Sequence, residues 1–186
     1  MNTNSSNNIL KEKKLKTGEF LILRKPIEED AKNMIEYLNL VGGESDNLLF
    51  GKDEFHLSVE QEREHIKRVN SDENTLMILG IIDANIVSVA QISCPNRVRI
   101  AHNSEVSISV KKHHWKKGIG SVVMEELIKF AKENETIKNI SLGVKASNKN
   151  AILMYEKFGF EKVGIHRNNF NINGIFDDEI LMDLYI

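Results

Sequence analysis

Apolar and polar positions recur along this chain with two different periods, and each change of period marks a new element. FLILRK, from Phe20, reads as a strand, and Pro26 then opens a helix expected to run to about Leu40. Glu28, Glu29 and Asp30 sit in its first turn, where acids complement the helix dipole. Val41 to His56 shows no period and holds Gly42, Gly43 and Gly51, so it reads as a loop or a loop with a short helix. Ser58 with Gln61 forms a capping box for a helix to about Val69, followed by a turn over Asn70 to Asn74.

TLMILGII and IVSVAQISC, joined by Asp83-Ala84-Asn85, have the pattern of a β-hairpin, and SEVSISV adds a strand. In that strand Val106, Ile108 and Val110 share one face, while Glu105, Ser107 and Ser109 share the other and can meet a ligand. Ile119, Val123, Leu127 and Phe130 then form a helical stripe, with Glu125 and Lys129 expected to pair on its outer side. ISLGV is a short strand, Asn148 to Phe158 a helix stopped by Gly159, and FEKVGIH and FDDEILMDLYI are final strands. The order β-α-α-β-β-β-α-β-α-β-β implies an α/β (α+β) fold. Its sheet is mixed and mostly antiparallel, with helices on both faces.

Composition narrows the function classes. The 186 residues suit one domain, assigned to 17–186. The polar, Asn- and Ser-rich start, residues 1–16, is expected to be a disordered tail. A net charge of −2 argues against bulk binding to nucleic acid, and no apolar run reaches membrane-spanning length. With Cys94 the only cysteine, no intrachain disulfide can form, and a reducing cytoplasmic setting fits best. The scattered histidines offer no H-E-x-x-H spacing, so no metal is expected. No nucleic-acid or membrane partner is expected, and a homodimer is the commonest assembly of such a chain.

Two segments carry candidate chemistry. KKHHWKKGIGS, Lys111 to Ser121, joins a strand to a helix through Gly118 and Gly120. Unpaired amides at a helix start and missing Cβ atoms suit a diphosphate, and Lys116 and Lys117 add positive charge. SNKNAILMYEKFGF places Asn148 at a helix N-cap and Tyr155 two turns later. Taken alone, the first could be a plain helix start and the second a cap with an aromatic core edge.

Together they resemble the GNAT superfamily of acetyltransferases, whose coenzyme A loop runs Q or R, then x-x-G-x-G or A, and whose later helix carries N-x-x-A-x-x-x-Y-x-x-x-G-F. Asn148, Ala151, Tyr155, Gly159 and Phe160 match the second pattern. Gly118 and Gly120 match the first, while Trp115 stands at its leading position. The resemblance implies that acetyl-coenzyme A is the cosubstrate, with its pantetheine arm between two splayed parallel strands, Glu105 to Val110 and Ile140 to Val144. The diphosphate would sit on amides of Lys116, Lys117, Gly118, Ile119, Gly120 and Ser121, with Trp115 also among the cofactor-binding residues. Ile108, Ser109 and Val110 would meet the arm, and Asn148 and Ala151 the cofactor near Tyr155.

The implied reaction is N-acetylation of a primary amine, on a small molecule such as a polyamine or aminoglycoside or on a peptide, by direct transfer in a ternary complex. Tyr155 would protonate the leaving thiolate, and Glu105 would serve as base or amine anchor. Glu44, Asp46, Asp53, Glu54, Asp177 and Asp178 would favour a cationic acceptor if they face the cleft. A sensing or regulatory domain that binds acetyl-coenzyme A without turnover is the alternative.

Overall fold

The computed structural model describes residues 8–186. Its strands are β1 (Ile9–Lys14), β2 (Phe20–Arg24), β3 (Leu76–Ile82), β4 (Asn85–Ser93), β5 (Asn103–Val110), β6 (Asn139–Lys145), β7 (Glu161–Ile172) and β8 (Ile175–Tyr185). The helices are α1 (Ala31–Glu44), α2 (Val59–Ser71), α3 (Ile119–Glu133) and α4 (Lys149–Lys157). The strands form a single sheet in the order β1-β2-β3-β4-β5-β6-β8-β7. Every neighbouring pair is antiparallel except β5 and β6.

Strand period sorts residues cleanly to the two faces of the sheet. On one face Ile78, Ala90, Ile92, Val106, Ile140, Leu142, Val144 and Met182 pack against α3 and α4. On the other, Met77, Leu79 and Ile86 pack against α1 and α2 through Met34, Tyr37, Val41, Ile66 and Val69. Odd-numbered residues of β5 and β6 therefore look toward α1, and even-numbered ones toward α3 and α4.

The tail expected over 1–16 is corrected at Ile9–Lys14, which pairs antiparallel with β2. Residues 1–7 lie outside the described residues. β1 is also tied to α3: Lys11 Nζ lies 3.1 Å from Glu125 and 2.8 Å from Glu126. Glu125 thus pairs with Lys11 rather than Lys129, whose ammonium is 4.0 Å from Glu133. A polar segment gains order here from ladder hydrogen bonds and two carboxylates, neither of which apolar pattern reveals.

Helix α1 also runs further than expected, to Glu44, through both of its glycines. Gly42 is required by packing, because a Cβ there would overlap the Gly51 carbonyl of the loop that follows. Its entry is fixed by Asp30, whose carboxylate takes two 2.7 Å bonds from Arg24 and one of 2.7 Å from the Ile27 amide. The capping box of α2 is formed as expected: Gln61 N–H donates to Ser58 Oγ at 3.2 Å and Ser58 N–H to Gln61 Oε1 at 2.8 Å. At the far end, β7 runs on past FEKVGIH to Ile172, β8 keeps the length of FDDEILMDLYI but starts one residue earlier, and the two meet at Asn173 and Gly174, both at positive φ. No helix among the described residues is long and apolar enough to cross a membrane.

Candidate functional site

Strands β5 and β6 stay paired only from Asn103–Asn139 to Glu105–Ser141, and beyond that point they part. The ladder with β4 shows what faces the gap. Lys111 N–H donates to Val87 O, and in the same register Ser109 faces Val89 and Ser107 faces Gln91. Those are the hydrogen-bonded pairs, so the backbone groups of Val106, Ile108 and Val110 point the other way, into the gap. Of the three residues expected to meet an inserted arm, Ile108 and Val110 offer backbone to it, and Ser109 does not. The Ser109 hydroxyl is likewise engaged, 3.2 Å from Val89 O and 3.1 Å from the buried Tyr37 hydroxyl.

A cleft of about 730 Å³ opens along this gap and takes lining residues from both faces of the sheet. Its upper end is the turn into α3. Gly118 is the N-cap at φ 88°, a left-handed conformation that favours glycine, and Lys116 reaches φ 62° just before it. Gly120 serves packing instead: a Cβ there would lie 3.3 Å from Met154 Sδ, so the glycine brings α3 against α4. Trp115, where the motif has Gln or Arg, donates from Nε1 to the Val110 carbonyl at 2.7 Å. It satisfies a strand carbonyl that the parting of β5 and β6 leaves without a partner.

Trp115, Lys116, Gly118, Ile119, Gly120 and Ser121 all line the cleft. The Lys117 side chain instead turns away to Glu19, 2.9 Å distant, and is not among the lining residues. His114 does line the cleft, and burial and then Lys117 hold its pKa below the usual histidine value, so it is neutral at pH 7.

Tyr155 enters from the α3–α4 face. It is 9% exposed, packs its ring 5.8 Å from that of Phe160, and lines the cleft with Ala151 and Asn148. The helix end that holds it is a Schellman motif: Phe160 N–H donates to Tyr155 O, Gly159 N–H to Glu156 O, and Gly159 sits at φ 92°. Burial pushes the Tyr155 phenol up to about 12, so it keeps its proton throughout the neutral range. Asn148 Oδ1 accepts from Ala151 N at 3.4 Å, which is the cap, and its amide nitrogen donates to no group among the described residues.

The α1 face supplies the carboxylates. Glu105 is exposed on the last paired position of β5 and lines the cleft. Of the acids proposed to face an acceptor, only Glu44 lines the cleft, and its carboxylate already accepts from Lys112 N at 2.7 Å. Glu54 instead accepts from Gly51 N, Asp178 accepts from Asn168 N, and Asp177 lies 3.9 Å from Lys145. The cleft's buried carboxylate is Glu179 on β8, which the sequence reading did not single out. The signal for it was Gly143, because a glycine inside an apolar strand marks a close approach by another group. Cys94 lies outside the cleft with its thiol pushed up, first by burial and then by Asp72. No cluster of potential metal ligands occurs among the described residues.

A strand pair that parts around a cleft, with a glycine-led helix entrance at one end and a buried phenol beside it, defines an acyltransferase architecture. Residues 45–160 match the model of the acetyltransferase (GNAT) family, and the chain belongs to that family. An acetyltransferase of the GNAT family from Streptococcus pneumoniae superposes with a TM-score of 0.86 at 28% identity, covering 89% of this chain and 99% of that one. The L-amino acid N-acetyltransferase AaaT of Escherichia coli is 29% identical over 105 residues, 56% of this chain and 65% of that protein. The ribosomal protein bS18-alanine N-acetyltransferase of the same organism is 34% identical over 80 residues, 43% of this chain and 53% of that protein. The matched segments thus span between about half and two thirds of these curated relatives.

Proposed function

We propose that this protein transfers the acetyl group of acetyl-coenzyme A to a primary amine by direct attack in a ternary complex. The observation that carries the reading is the two-sided gap: a protonated phenol on one side of the parted strands and carboxylates on the other. A thioester held in the gap is then attacked from the α1 side, while its sulfur leaves beside Tyr155.

The residues present fit the cofactor. The outward-turned backbone groups of Ile108 and the Val110 N–H would pair with an extended arm as an added strand would. Amides of Lys116 to Ser121 would hold a diphosphate at the start of α3. When bound, the cofactor supplies the activated acetyl group. The Ile108 or Val110 N–H would polarise its carbonyl, and Tyr155 would give its proton to the departing sulfur.

The acceptor we favour is an α-amine, of an amino acid or a peptide's first residue. Similarity to an L-amino acid N-acetyltransferase and to a ribosomal protein bS18-alanine N-acetyltransferase supports the α-amine, and the acidic side of the cleft supports a cationic acceptor in general. Glu105, exposed at the mouth, serves the incoming ammonium as base or anchor. Release of free thiol from acetyl-coenzyme A, with an alanine-led peptide, free amino acids and spermidine as acceptors, tests the reading. Turnover with an α-amine supports it, whereas cofactor binding without thiol release from any acceptor would mark a sensor instead.

A further inference from the structure

Glu179 is the cleft's most constrained carboxylate. It is 9% exposed, stands on the same face of the sheet as Glu105 and Gly143, and leans across Gly143 so that a Cβ there would overlap its Oε1. Its other oxygen is fully engaged: Oε2 lies 3.1 Å from His166 Nδ1 and accepts from Asn169 Nδ2 at 3.1 Å. A bulge between His166 and Phe170 brings both side chains of β7 to one oxygen, and bulges commonly re-aim side chains beside active sites.

Oε1 accepts no hydrogen bond from the described residues, and no lysine or arginine pairs with Glu179 among them. The nearest candidate, Lys145, stands opposite on β6 but is directed to Asp177 and the Phe170 ring. The one ion-pair partner of Glu179 among the described residues is His166, cationic only when protonated and seated on Oε2, so Oε1 is left to receive a cation. Glu105 differs in kind, because it is exposed and water competes for it.

We propose that Glu179 is a catalytic residue that receives the amine's proton, that His166 and Asn169 position it, and that Glu105 anchors the ammonium at the mouth. This rests on the acetyltransferase reading above and divides its acid–base work. The incoming R–NH3⁺ hydrogen-bonds to Glu179 Oε1 and passes it one proton, leaving a neutral amine. The nitrogen lone pair forms the C–N bond, and the C–S bond breaks as sulfur takes the Tyr155 proton. The nitrogen's second proton passes through water to restore Tyr155, and Glu179 returns its proton to solvent. One amide, one free thiol and one released proton result.

The test compares two acceptors at pH 7: an alanine-led peptide, whose amine is protonated, and hydroxylamine, which is already neutral. Glu179→Gln should lower kcat with the peptide by about 10²-fold, in line with loss of a general base, while the hydroxylamine rate and acetyl-coenzyme A affinity hold. Gly143→Ala, which fills the seat of Oε1, should give the same selective loss. Glu105→Gln should raise KM for the peptide more than it lowers kcat. An equal fall with both acceptors, or lost cofactor affinity, would assign Glu179 a structural role and overturn the inference; an unchanged peptide rate would also overturn it. Either result leaves the acetyltransferase reading standing. A wild-type protein that releases no thiol with either acceptor overturns both.

Discussion

The Tyr155 hydroxyl suits the proton-donor role proposed for it, because a phenol pushed up to about 12 by burial keeps its proton throughout the neutral range. Tyr155→Phe should therefore cut kcat by about 10² to 10⁴-fold and leave acetyl-coenzyme A affinity intact, as steady-state kinetics and calorimetry would show. An unchanged rate would remove the phenol from the chemistry. Glu62 illustrates the opposite use of burial. It is 1% exposed on α2, its Oε2 has no hydrogen-bond partner among the described residues, and desolvation raises its pKa. A carboxyl raised in the folded state binds more protons there than when unfolded, so its penalty grows as pH rises through the acid range. Glu62→Met should raise stability at pH 7 by about 1 kcal/mol in urea unfolding, the order of cost of one unsatisfied buried group. At this scale Tyr155 was legible, because a full motif surrounds it. Glu179 was not, because what identifies it is the space over Gly143, and that space depends on strand pairing far along the chain.

Elements followed the apolar period wherever the period was strong, as in α3 and the β3–β4 hairpin, and departed where contacts between elements decide. The hairpin turn is two residues, Asp83 and Ala84, both at positive φ, with Asn85 already in β4. Left-handed backbone suits glycine and strains alanine, so Ala84→Gly should stabilise by about 0.5 to 1 kcal/mol, read as a raised midpoint in denaturant. Asn173-Gly174 carries the strongest short hairpin signal in the chain, and the length of β7 and β8 follows from it. Neither the continuation of α1 through Gly42 and Gly43 nor the ordering of β1 has such a local mark. The first depends on the Gly51 carbonyl, and the second on Glu125 and Glu126, more than a hundred residues away. The Arg24–Asp30 pair binds β2 to the entry of α1 and also fills the Ile27 amide. Asp30→Ala should cost about 2 to 3 kcal/mol, somewhat below a fully buried pair because Arg24 remains partly exposed.

For the whole molecule, one sheet separates two apolar layers, and the parting of β5 from β6 opens a cleft that a ligand can enter with access to both sides at once. Tyr37 and Tyr155, one in each layer, both have phenols raised by burial. The folded state holds these protons where the unfolded chain has lost them. Stability from them is therefore complete below about pH 10 and declines as pH rises through 12 and beyond. Alkaline unfolding should begin above pH 10 and shift upward in Tyr37→Phe, as circular dichroism across a pH series would show.

The most direct measurement is a crystal structure with coenzyme A. The diphosphate should lie on the amides of Lys116 to Ser121, the arm beside Ile108 and Val110, and the sulfur next to the Tyr155 hydroxyl. A diphosphate bound elsewhere, or an arm outside the gap between β5 and β6, would contradict that placement.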